Sequence, residues 1–218
     1  MTLLELEKKY CRTLKKQYSQ LTKLYSNAIE DYSFSLQKKD VTKAIILRMK
    51  TYYETHEDIM KFLNKRNVAP GADFFVETVT FYLKLFLEKR KKNIEVHSER
   101  KVRPEMGAMK PDISIWKGDE LIAIIECKTN LGWNRKGWER DFNKRESRLK
   151  RIFPKANAFL LVLTSINWPG FDDSDERVGK KFFTLSSEGM RRMENKPIES
   201  VIENPVEKLF SRILKCSR

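Results

Sequence analysis

The feature that most constrains this chain is a pair of short runs on either side of a turn. Residues 111–116 (Pro111-Asp112-Ile113-Ser114-Ile115-Trp116) alternate apolar and polar side chains, and residues 121–127 are an apolar run. Lys117-Gly118-Asp119 stands between them. A period of two interrupted by a glycine-containing break predicts two strands, with a tight turn folding the first against the second.

Helical spacing flanks this hairpin on both sides. Leu3, Leu6, Tyr10, Leu14, Tyr18, Leu21, Tyr25, Ala28 and Tyr32 recur at three- and four-residue steps, which predicts a helix over 3–38 with its tyrosines at core spacing. Asp40 is placed to cap a second helix running to about residue 65, and Asp73, after the Pro70-Gly71 break, a third running to about residue 90. Phe74, Phe75, Val79, Tyr82, Leu83, Phe86 and Leu87 cover much of that third helix, so it should be largely buried. Residues 94–97 alternate as a strand, 138–152 return to helical spacing, and 158–164 form a short apolar strand of the buried kind. Trp168-Pro169-Gly170 and the acidic residues 172–176 have the composition of a loop, and two further helices are expected near 187–195 and 205–215. The order predicts an α/β fold, a mixed β-sheet flanked by helices with an α-helical N-terminal region. Residues 1–68 make up that region and residues 69–218 the remainder.

Composition narrows the partners. The chain has 44 Lys and Arg against 30 Asp and Glu, a formal charge of +14, which favours polyanions and nucleic acid first among them. No apolar run approaches the roughly 18 residues a membrane span needs, and the first residues lack a basic, then apolar leader. Cys11, Cys127 and Cys216 are odd in number and isolated, which suits a reducing cytoplasm better than a disulfide framework. Two histidines, His56 and His97, cannot supply a multi-histidine zinc site. A phosphate-directed enzyme built from this sequence must therefore hold its metal mainly through carboxylates.

The hairpin offers them. Side chains alternate along a strand, so Glu126 and Lys128 project to one face, and the turn brings Asp112 alongside Glu126. Two carboxylates able to share a hard divalent cation, with an ammonium at the same spot, make up the set that phosphodiester hydrolysis uses.

Pro111-Asp112, followed after thirteen residues by Glu126-Cys127-Lys128, resembles the signature of the PD-(D/E)XK nuclease superfamily, and type II restriction endonucleases most of all. The resemblance spans about residues 70–165, including the succession of helix, motif-bearing hairpin, basic helix and strand. It implies a restriction-endonuclease-like core in which Asp112 and Glu126 bind Mg²⁺ and Lys128 is the catalytic lysine. The backbone carbonyl of Cys127 would complete the metal shell. Many members add a glutamate from the preceding helix; Glu77, between Phe74 and Phe81, fits that place, with Glu105 as its rival.

Beyond the hairpin, Arg140, Lys144, Arg148 and Arg151 line one side of the 138–152 helix, after a polar loop holding Asn130, Trp133, Asn134, Arg135 and Lys136. Asn134, Arg135, Lys136, Arg140, Lys144 and Arg148 are candidate DNA contacts; the alternative is an ordinary solvated helix face. The expectation is a Mg²⁺-dependent endonuclease acting on double-stranded DNA as a homodimer. A repair nuclease, a junction resolvase and a non-catalytic DNA-binding protein are the alternatives.

Overall fold

The hairpin forms, and the sheet grows outward from it. The computed structural model describes residues 2–90, 93–103, 105, 108–131, 135–166, 175–193 and 196–217, without the side chains of residues 135 and 136. Strands β1 (Glu95–Ser98), β2 (Ile113–Lys117), β3 (Glu120–Lys128), β4 (Asn157–Thr164) and β5 (Phe182–Ser186) make one sheet in sequence order. β1, β2 and β3 run antiparallel, while β3, β4 and β5 run parallel. Gly118 turns the β2–β3 hairpin with φ 58, in the region where only glycine sits without a Cβ penalty.

Five α-helices are described: α1 (Leu3–Asp31), α2 (Asp40–Phe62), α3 (Ala72–Lys89), α4 (Arg135–Ile152) and α5 (Val206–Cys216). One sheet face carries Ile113, Ile115, Ala123, Ile125, Cys127, Phe159, Leu161 and Phe183. Against it pack Ile45, Ile46 and Met49 of α2, Phe75, Val79 and Phe86 of α3, and Phe210 and Ile213 of α5. The opposite face carries Ile124, Leu160, Val162 and Phe182 and is covered by Phe142, Leu149 and Trp138 of α4. Cover on both faces is why β3 and β4 read as nearly unbroken apolar runs.

Several local expectations need correction. α1 stops at Asp31, seven residues short of the predicted end, and none of its residues is buried. Its apolar stripe lies open over the first half, with Leu3, Tyr10 and Tyr18 exposed, while Tyr25 packs edge-on against Phe81 of α3. The stripe is therefore only half-buried, and only over the second half of that helix. Neither Asp40 nor Asp73 caps. Lys39 and Gly71 occupy the N-cap positions of α2 and α3 with no side-chain cap bond. The buried Glu207 serves α2 instead, accepting from Val41 N at 2.8 Å, Thr42 N at 3.2 Å and the Thr42 hydroxyl. The helix expected over 187–195 is a short 3-10 turn, Met190–Arg192, and strand β5 precedes it where no element was predicted. The loop predicted at 168–170 and residues 172–174 lie outside the described residues.

Candidate active site

Register places the motif. Ile113 pairs with Ile125 and Ser114 with Ile124, so one further step sets Asp112 opposite Glu126 at the end of β2. The Cys127 side chain points into the core beneath α2, α3 and α5, so its neighbours Glu126 and Lys128 project on the other face, the side of α4. Asp112 is drawn against β3 by a hydrogen bond from Cys127 N to its Oδ2 at 2.7 Å. Lys128 Nζ stands 4.0 Å from the same oxygen, with half its side chain exposed. The structure thus brings Asp112, Glu126 and Lys128 to one end of one hairpin.

Their environments differ. Glu126 keeps only 6% of its side-chain exposure, and the guanidinium of Arg145 donates to its Oε1 at 2.5 Å. Burial pushes the Glu126 carboxyl above its ordinary range; the Arg145 charge opposes this, and nearby Asp112 reinforces it. Burial also holds the Cys127 thiol well above the usual range, so it is neither a thiolate nucleophile nor a thiolate ligand. Only its backbone can take part in the chemistry.

Glu77 lies on an exposed turn of α3, so the aromatic surroundings that singled it out do not bury it. It does line a cleft of about 580 Å³ together with Asp73, Thr80, Phe81, Ser98 and Asp112, which connects it to the hairpin. Glu105 sits in the segment before β2, with Arg103 3.9 Å away. Among the described residues, no three His, Cys, Asp or Glu side chains gather into a ready metal cluster.

Two carboxylates suffice for magnesium, which keeps several waters and uses few protein ligands. One oxygen of each is committed, Asp112 Oδ2 to Cys127 N and Glu126 Oε1 to Arg145, and among the described residues Asp112 Oδ1 and Glu126 Oε2 accept no hydrogen bond. Hard, anionic oxygen donors are the right chemistry for Mg²⁺, and the residues present fit it.

Helix α4 supplies the surrounding charge. Between residues 135 and 152 it carries eight basic and three acidic residues. Arg140, Asn143, Lys144, Ser147, Arg148 and Arg151 share the outer, open side of this helix. Arg140 has Asp141 3.6 Å away, both well exposed. Asn134 and the side chains of Arg135 and Lys136 lie outside the described residues.

The residue that sequence reasoning missed is Arg145. It stands three residues after Phe142 and four before Leu149, both buried against the sheet. That position continues the helical spacing of the apolar seam of α4, and a charge interrupting that spacing is the signal; Arg145, itself exposed, pairs with the buried Glu126.

No protein-family model matches the chain, and no curated protein matches it. Among solved structures, a chain of the native BbvCI A2B2 tetramer, determined at low resolution, matches with a TM-score of 0.49 and 18% identity. The match covers 97% of this chain and 89% of that one. A likeness of this size assigns neither family nor activity, so function has to be read from the site itself.

Proposed function

We propose that the chain is a Mg²⁺-dependent endonuclease that hydrolyses phosphodiester bonds of double-stranded DNA, in the manner of a type II restriction enzyme. The observation that carries this reading is the convergence of Asp112, Glu126 and Lys128 at the end of the β2–β3 hairpin, next to the basic helix α4. Asp112 and Glu126 would hold the cation, with the carbonyl of Cys127 beside them and Glu77 as an auxiliary carboxylate on the cleft wall. Bound there, Mg²⁺ supplies an acidified water and neutralises charge on the phosphoryl oxygens. Lys128, half in solvent, orients the attacking water and stabilises the developing negative charge. Arg140, Lys144 and Arg148 contact backbone phosphates, and Asn134, Arg135 and Lys136, next in the sequence before them, are the candidates for base contacts.

Duplex cleavage needs one centre per strand, which a two-fold pair of chains provides. The open apolar stripe of α1, with Leu3, Leu6, Tyr10 and Leu14 exposed, supports a homodimer assembled through residues 1–68, with catalysis in residues 69–218. That division separates roles rather than cores, because Ile45 and Met49 of α2 share a buried cluster with Phe86 and Phe210. Digestion of a mixed-sequence plasmid with Mg²⁺ tests the reading. Discrete fragments are expected. Random nicking or a preference for branched DNA would move the assignment to repair or resolution, and a gel shift without any cutting would remove the catalytic reading.

A further inference from the structure

Arg145 is tied to the most withdrawn carboxylate of the site. It follows the helical spacing of Phe142 and Leu149 on α4, yet it is itself exposed. Its guanidinium bridges to a carboxylate with 6% side-chain exposure, while 45% of the Arg145 side chain stays in solvent. A carboxylate so withdrawn from water needs a positive partner. A guanidinium keeps its charge at every accessible pH, so titration does not release it. Only another cation can take its place, and a side chain half in water can swing out without exposing apolar surface.

We propose that Arg145 is the resident counterion of Glu126 and competes with the divalent cation for that carboxylate, so that the strength of this ion pair sets the cation affinity of the site. The proposal rests on the reading of Asp112 and Glu126 as cation ligands. It makes Arg145 a positioning residue, since it acts through Glu126. Lys128 is the weaker partner of Glu126, because its ammonium stands 4.0 Å from the more exposed Asp112 while the guanidinium of Arg145 bonds Glu126 directly.

Mn²⁺ titration calorimetry on the full chain tests this without measuring cleavage. Arg145→Gln removes the charge and keeps a side chain of similar polarity. A charge-assisted hydrogen bond lost as competitor should tighten Mn²⁺ binding by roughly tenfold or more. The rise in Tm on adding Mn²⁺ should be larger in the variant than in the parent. A purely structural Arg145 predicts the opposite, equal or weaker Mn²⁺ binding, and that result overturns the proposal while leaving the reading of Asp112 and Glu126 in place. If Arg145→Gln does not fold alone, recovery of the folded state on adding Mn²⁺ supports the exchange, and failure to recover overturns it. Parent and variant both failing to bind Mn²⁺, or Glu126→Gln binding it as the parent does, overturns the proposal together with the reading beneath it.

Discussion

Replacing Lys128 with alanine separates catalysis from folding because the geometry assigns the two effects different sizes. The ammonium lies 4.0 Å from Asp112 Oδ2 with 50% of its side chain exposed. At that range two unit charges interact by about 4 kcal/mol near a protein surface and about 1 kcal/mol in bulk water. Half exposure puts Lys128 between these limits. Against negative charge developing on a phosphoryl oxygen at similar range, its loss should cost roughly 3 kcal/mol, or about two decades in kcat/KM. The cost to folding should stay below about 1 kcal/mol, the usual size of an exposed ion pair. Single-turnover cleavage of supercoiled plasmid in Mg²⁺ measures the first quantity, a thermal melt the second, and a gel shift shows that DNA is still bound. A folded Lys128→Ala protein that cuts at a rate within tenfold of the parent refutes the role given to Lys128.

Neutralising Arg140 and Lys144 together should weaken DNA binding and flatten its log–log salt dependence by roughly one to two units; an unchanged slope removes the outer face of α4 from the interface. Glu207→Ala strands the backbone donors of Val41 and Thr42 and the Thr42 hydroxyl in a buried position. It should destabilise the protein by about 3 kcal/mol and lower Tm by about 10 °C, and a change near zero means water or another group caps α2 equally well. Light scattering should find a mass near twice the 25.9 kDa of the chain, and Leu6→Lys with Tyr10→Lys on α1 should halve it. A dimer unaffected by that pair of substitutions places the contact elsewhere.

What could be read from sequence divides along the range of the interactions involved. The β2–β3 hairpin was legible because alternation, apolar content and Gly118 act within eighteen residues, and the same register that pairs Ile113 with Ile125 aligns Asp112 with Glu126. β4 was legible for the same reason. β5 is hard to read from sequence because Phe182–Ser186 is only five residues long and interrupts its apolar residues with Thr184 and Ser186, so the run is too short and too mixed for a buried strand until it pairs with β4. The cap of α2 could not be found locally, since Glu207 lies about 165 residues from the backbone groups it accepts from. α1 misled in the other direction. Its 3.6-residue periodicity forecast a packed stripe, but periodicity reports a face that favours burial and says nothing of what buries it. Arg145 was visible as a break in the α4 seam, although its partner on β3 emerges only when the helix is laid across the sheet.

Anomalous diffraction from a crystal soaked in Mn²⁺ bears most directly on the central claim, that one hairpin presents two carboxylates to a single divalent ion. The expected result is a peak bound by Asp112 and Glu126, with Lys128 within reach of its water shell and Arg145 withdrawn from Glu126. Density at neither carboxylate, or an ion held by other residues while Arg145 stays on Glu126, would contradict it.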